Sequence, residues 1–343
     1  MATAQANNPW AWTGLLKWSL NYMDGTRDTS DVAPMSEEDK AFLEKVMSEG
    51  IVDEAERMKF ILTEATKAME YYRSRAGDPP IAEEELEDLL QELRDIVEQI
   101  DYARAFCSLQ GLPFLLGCIQ QEEVPVSIRQ VCLGILSTLG QNNPPVQQQL
   151  LEMGAIKTLS DLFFDAKTTN NTKTRIMQTL SSIVRNHELA ENVFEQLPQS
   201  PELFLEGLNP TTASLSLRIK SIFFLRALVT SDLATSARLQ TFEKAIWLIV
   251  DTCLEDNSNT SLELREMAIA LLEKLLVDKK GGVKILLQRK NDLVQIGVKR
   301  IASLRKLSGE DRELAQTELD SWENVMVLLA RSEPEEDEPG QAQ

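Results

Sequence analysis

The sequence predicts an all-α superhelical solenoid, and three observations carry that prediction. Apolar residues recur at helical spacing along most of the chain. Alternating β-branched runs of the kind that make strands are absent. Four long apolar helices, over 128–140, 173–185, 217–229 and 264–276, can be laid over one another. Their matching leucines, Leu136, Leu180, Leu225 and Leu272, are spaced by 44, 45 and 47 residues. Armadillo and HEAT repeats have a period of about 40–47 residues. One such repeat cannot bury both faces, but a stack buries a continuous core and leaves a face lined by the last helix of each unit.

The elements run in order along the chain. Residues 1–34 are expected to be a loose segment with a short helix at Leu15-Leu16-Lys17-Trp18-Ser19-Leu20, closed by Asp24-Gly25-Thr26. A helical region comes next over 35–105. Ser36 caps a helix whose first turn is acidic, running to Gly50. A second helix covers about 52–72. Gly77-Asp78-Pro79-Pro80 breaks the chain, and a third helix is expected as one piece over 82–105, on the stripe Leu86, Leu90, Leu93, Val97, Ile100. About four armadillo repeats are expected over 106–290, with Gly111 and Gly154 opening two of their helices. Helices over 291–307 and 311–329 are expected to cap the stack. The run 331–343 carries five acids and is expected to be a disordered acidic tail, with no base from Ser332 onward.

Charge narrows the partners. The 343 residues hold 35 Lys and Arg against 54 Asp and Glu, a net charge of −19. Phosphate backbones and anionic bilayers repel such a chain, which argues against nucleic acid and membrane. With 43% hydrophobic residues, most of the chain can enter a core. No run of eighteen apolar residues and no leader pattern occurs, so a cytoplasmic protein, with the nucleus also compatible, is expected. The four cysteines, Cys107, Cys118, Cys132 and Cys253, form no C-x-x-C pair and read as small core hydrophobes.

Nothing builds a catalytic centre. The single histidine, His187, falls in a loop after a repeat helix, without a nucleophile or orienting acid beside it in sequence. No phosphate loop or dinucleotide fingerprint occurs. No metal or cofactor is expected, and the chain reads as a binding protein, not an enzyme. The binding face should be the groove lined by positions in phase with Thr138, Ser182, Ala227 and Lys274. Arg175, Gln178 and Arg185 share that phase on the second repeat helix, and Lys220 and Phe223 on the third. Two functions then compete. A generic adaptor holding an extended peptide would need a ladder of Asn and Trp, which the four in-phase positions lack.

The other function comes from a resemblance. The Leu15–Leu20 segment, the stretch Asp101-Tyr102-Ala103-Arg104-Ala105-Phe106-Cys107, the turn Gln141-Asn142-Asn143-Pro144 and the helix start Leu217-Arg218-Ile219-Lys220-Ser221 stand in order along residues 12–330. Together they resemble the Fes-type, heat-shock-protein-70-binding family of armadillo nucleotide exchange factors. Met35-Ser36-Glu37-Glu38-Asp39 and residues 52–58 are especially similar to plant-type, cytosolic members. The loop 168–172 and the lack of a clear glycine at the helix start in the second and third repeats depart from that pattern.

The resemblance implies that a monomeric chain embraces one lobe of the nucleotide-binding domain of cytosolic heat-shock protein 70. That grip opens the cleft and releases ADP and client. It implies that Ala103 lies against the chaperone and that Lys220 supplies a basic contact; helical phase alone adds Arg218, with Arg175 and Arg185. It further implies that Leu15, Leu16, Trp18 and Leu20 mimic client peptide.

Overall fold

The computed structural model describes residues 37, 53–254, 260–278 and 280–332. The chain divides into two units, Met1–Thr63 and Glu64–Gln343. Of the first, Glu37 and the opening turns of a helix, α1 (Glu54–Ser74), are described. The helix expected from Ser36 to Gly50 and the Leu15–Leu20 segment lie outside the described residues, Glu37 excepted. No helix among the described residues is long and apolar enough to cross a membrane.

The second unit is a ladder of helices, with no strand among the described residues. After α2 (Glu83–Ile96) come four three-helix units. They are α3 (Ile100–Ser108), α4 (Gly111–Gln120) and α5 (Val126–Gly140); α6 (Pro144–Glu152), α7 (Ala155–Phe164) and α8 (Asn170–Val184); α9 (Glu188–Gln196), α10 (Ser200–Leu208) and α11 (Leu215–Val229); and α12 (Ser236–Thr241), α13 (Glu243–Cys253) and α14 (Leu262–Val277). A last group holds α15 (Gly282–Leu287), α16 (Lys290–Leu304), α17 (Glu310–Leu314) and α18 (Gln316–Arg331).

The third helix of each unit packs on the third helix of the next, so α2, α5, α8, α11, α14 and α18 form one row. A second row runs α4, α7, α10, α13 behind it. The four leucines matched by spacing are all fully buried. They hold the same place on successive rungs, which is why the period could be read from them. Polar contacts repeat with that period. Glu83 accepts from Ser127 Oγ at 2.6 Å, and Thr138 accepts from Arg94 Nε at 3.1 Å, both across 44 residues. Thr179 Oγ1 donates to the Leu133 carbonyl at 3.0 Å, across 46.

Three rungs begin on a hydroxyl cap. Thr169, Ser214 and Ser261 each accept from a backbone N–H three residues on, at 3.4, 3.2 and 3.1 Å. Each such cap stabilises its helix by about 1 kcal/mol. The rungs end alike too. Asn142 and Asn186 take left-handed backbone, φ 53° and 60°, which Asn tolerates better than most side chains. Gln147, buried behind that second turn, donates Nε2 to the carbonyls of Ser182 (2.9 Å) and Arg185 (3.0 Å), closing the end of α8.

Two sequence expectations need correction. The single helix over 82–105 is two helices, parted at residues 97–99, where Gln99 is extended (φ −82°, ψ 128°). Val97, Ala103 and Phe106 are all buried while Ile100 is 57% exposed. A straight helix could not turn all three inward, and the break re-aims the chain. The helix over 311–329 likewise splits into α17 and α18 at Ala315. His187 lies in the loop, as expected, and there caps α9, its Nδ1 accepting from Ala190 N–H at 3.2 Å. The cysteines are free, three buried and Cys107 half-buried.

Candidate partner-binding groove

The exposed side of the rung row is shaped by what its helix ends demand. Arg185 is the C-cap of α8. Its Nε returns to the Ser181 carbonyl at 3.1 Å, and its guanidinium lies 4.7 Å from the centre of the Phe223 ring on α11. Burial pulls that guanidinium below its ordinary pKa. The Arg185–Phe223 stack thus bridges two rungs, a cation over an aromatic face.

A hollow opens on either side of this stack. One, of about 410 Å³, lies over α8, α11 and α14; Arg226, Ala227 and Thr230 form one wall, and Ala270, Glu273, Lys274 and Val277 the other. The second, of about 180 Å³, lies between α5, α8 and α11, lined by Ser137, Gln141, Gln178, Ser181, Ser182 and Lys220. Arg185 and Phe223 line both. Four bases, Arg185, Lys220, Arg226 and Lys274, therefore share the two hollows with one acid. That acid, Glu273, accepts from Asn324 Nδ2 of α18 at 2.9 Å. In a chain of net charge −19 this is a local reversal of sign over an apolar floor.

The sequence-selected residues divide accordingly. Gln178, Arg185, Lys220 and Phe223 come together. Arg175 is half-buried one turn before Gln178 and lines neither hollow. Arg218 is corrected: it is 2% exposed and turned to the back of α11, donating Nη2 to the Thr252 carbonyl (3.0 Å) and Cys253 Sγ (3.2 Å). Residues two apart point about 200° apart around a helix, so Arg218 and Lys220 cannot share a face. Ala103 is corrected as well: at 2% exposure on α3 it is sealed in the core and offers nothing to a partner. Leu15, Leu16, Trp18 and Leu20 lie outside the described residues.

Arg226, Thr230, Glu273 and Val277 were missed. Each lies within four residues of an in-phase position, on the wall of the groove rather than its floor. Among the described residues no group of three His, Cys, Asp or Glu could hold a metal ion.

Row, period and groove define the class: an armadillo-type solenoid. Solved structures agree on the fold. A designed armadillo repeat protein in complex with the peptide (KR)4 superposes with a TM-score of 0.54 at 14% identity, covering 76% of this chain and 99% of that one. A computationally designed armadillo repeat protein for modular peptide recognition gives 0.52 at 15% identity, covering 76% and 99%.

Residues 12–106 match the family described as nucleotide exchange factor Fes1. Hsp70-binding protein 1 of Mus musculus is 30% identical over 209 residues, 57% of this chain and 54% of that protein. Hsp70 nucleotide exchange factor fes1 of Schizosaccharomyces pombe is 29% identical over 155 residues, 45% and 52%. The chain spans about half the length of the curated relatives it matches. By these matches the chain is similar to the Fes-type family over part of its length, as its motifs suggested.

Proposed function

We propose that this chain binds the nucleotide-binding domain of a cytosolic heat-shock protein 70 and promotes release of ADP, and with it release of client. It acts by binding, without covalent chemistry, as a monomer. The observation that carries the reading is the basic groove, mounted on a chain whose residues 12–106 match the Fes1 family.

The physics is linkage. A partner that binds the open chaperone better than the closed one must weaken ADP, and ADP must weaken the partner by the same factor. Moving an open state from about 1% to 99% takes roughly 5.5 kcal/mol of differential affinity. An interface of ordinary size, about 800 Å² on each partner, can hold that selectivity.

In this reading Lys220, Arg226 and Lys274 meet acidic side chains of the chaperone lobe, Phe223 meets an apolar one, and Gln178 and Arg185 complete the contact, with Arg175 at its margin. Leu15, Leu16, Trp18 and Leu20 act separately, as a client-like segment. Stopped-flow release of labelled ADP tests the reading. Release should accelerate with added protein, and Lys220→Glu with Arg226→Glu should abolish most of the gain while leaving the helical circular-dichroism signal unchanged. An unchanged release rate at saturating protein would discard it.

A further inference from the structure

The smaller hollow, between α5, α8 and α11, is lined by polar side chains that the fold leaves idle. Ser181 is 4% exposed, and its Oγ is buried without a hydrogen-bond partner. Ser137, Gln141, Gln178 and Lys220 line the same hollow, and none of their side chains hydrogen-bonds to another of the described residues. Their neighbour Ser182 differs, its Oγ donating to the Thr179 carbonyl at 2.9 Å. A buried hydroxyl without a partner costs the fold free energy, and native chains keep few of them.

We propose that this hollow is a socket for one carboxylate side chain of the partner, which enters end-on and is held by the Ser181 hydroxyl and the Lys220 ammonium, with Gln178 and Ser137 beside them. The identity of that partner rests on the function proposed above; the socket itself does not.

Chemistry selects a carboxylate. Every lining side chain except Phe223 can donate a hydrogen bond, and none is acidic. A cation would meet Lys220 and Arg185 without a counter-charge. The carbonyl ends of α5 and α8, which would repel an anion, are already closed. Gln141 N–H donates to the Thr138 carbonyl at 3.3 Å and Arg185 N–H to the Ser181 carbonyl at 3.2 Å, while Gln147 Nε2 holds the carbonyls of Ser182 and Arg185. Arg185 has given its Nε to the fold and its face to Phe223. The incoming group therefore meets a hydroxyl and an ammonium through one oxygen, and not a guanidinium fork. At about 180 Å³ the hollow holds roughly the volume of six waters, which suits one Asp or Glu side chain and is too small for a helix. The larger hollow is built differently. It has its own acid, Glu273, and its one hydroxyl, Thr230, already donates to the Arg226 carbonyl at 2.8 Å.

The test compares variants of the full chain. Ser181→Ala removes a hydroxyl that the fold does not use, so it should melt no lower than the parent. Its binding to the isolated nucleotide-binding domain should weaken about tenfold, because a hydrogen bond to a charged group is lost. That loss should lie in the dissociation rate and keep the parent's salt dependence, whereas Lys220→Met should also flatten the salt dependence. Both changes touch one carboxylate, so the double variant should bind more tightly than the product of the two single factors predicts. A lower melting temperature, an affinity of Ser181→Ala within about twofold of the parent, or factors that simply multiply would each overturn the proposal.

Sodium acetate probes the socket without the chaperone. At constant ionic strength it should shift the Gln178 side-chain amide and Ser181 backbone amide signals in NMR spectra, saturably in the parent and not in Ser181→Ala. No saturable shift, or one produced by inorganic phosphate at lower concentration than by acetate, would overturn the carboxylate assignment. Should the chain leave the chaperone unbound while acetate still binds, the proposed function fails and the socket stands.

Discussion

The third and fourth repeat units are joined by a buried ion pair whose loss can be worked through from the structure. Arg238 and Glu191 both have side chains 1% exposed. Arg238 Nη1 donates to Glu191 Oε2 at 2.5 Å and to the Leu228 carbonyl at 3.3 Å, and its Nε donates to Glu195 Oε2 at 2.7 Å. Glu191 also accepts from Asn186 N–H and Ser231 Oγ, each at 3.2 Å, so it ties the ends of two rungs together. Arg238→Met keeps the apolar stem but leaves a buried carboxylate without its cation, which costs about 3–5 kcal/mol. Glu191→Gln keeps the acceptor oxygen, and Arg238 retains Glu195, so that change should cost roughly 1–2 kcal/mol. The double variant should recover part of the loss, with a coupling energy of about 1–3 kcal/mol. Urea unfolding monitored by circular dichroism measures all three. Hydrogen exchange should show protection lost first in α12 and α13, because a solenoid fails at its weakest interface. Were Arg238→Met within about 1 kcal/mol of the parent, or equally costly with and without Glu191→Gln, the pair would not hold the units together.

Other expected outcomes are separate from it. A methyl group at Gly207 would drive into Ser221 Oγ and come within 3.0 Å of Met177 Cε, so Gly207→Ala should cost about 1–3 kcal/mol, and Ser221→Ala should restore part of that in thermal melts. Thiol titration of the native chain near neutral pH should find Cys107 reacting slowly and first. Burial raises its pKa, while Cys132 is raised well above the ordinary value by its hydrogen bond to Cys118 and by burial. All four thiols should react in denaturant, and three reacting promptly in the native state would contradict the packing. Hydrogen bonds from Gln199 and Lys157 lower the pKa of Asp161 in the folded chain. Its contribution to stability is therefore full above the ordinary carboxylate value and is lost as pH falls through the depressed one. Gln199→Ala should move the carboxylate signal of Asp161 in an NMR titration back toward the ordinary value, and no movement would remove Gln199 as the cause.

The rung row was legible because its constraint repeats. Leu136, Leu180, Leu225 and Leu272 answer one demand, to fill the same gap between adjacent rungs, so the chain states it four times. The first rung was not legible, since in each unit the rung comes last and α2 has no preceding helices of its own unit to announce it. The offset of 44 residues from Glu83 to Ser127 and from Arg94 to Thr138 continues the period backwards and would have revealed it. Helical phase found Gln178, Arg185, Lys220 and Phe223. Motif position selected Ala103, and a motif does not say which way a side chain faces; phase read too loosely also selected Arg218, two residues from Lys220 and on the opposite side of α11. Ala103 and Arg218 are held inward by the packing of α3 and by the open carbonyl end of α13, demands set in three dimensions by residues more than thirty positions away in the case of Arg218.

That distinction bears on which groove bases can answer a partner. The last carbonyls of a helix carry partial negative charge, and a cation placed there first neutralises its own helix. Arg185 does so: its Nε is committed to the Ser181 carbonyl and its plane to the Phe223 ring, so much of its charge is spent inside the fold. Lys274 is exposed and Lys220 half-buried on the groove, and an ammonium on a four-carbon stem can swing toward an incoming carboxylate where a stacked guanidinium cannot. Arg185 and Phe223 are therefore a fixed floor between two rungs, and under the proposed function the lysines are the charges that would steer a partner. A ligand that needs bidentate recognition of a carboxylate would find this groove poorly prepared. An acidic surface that arrives in several orientations before settling would find it well suited.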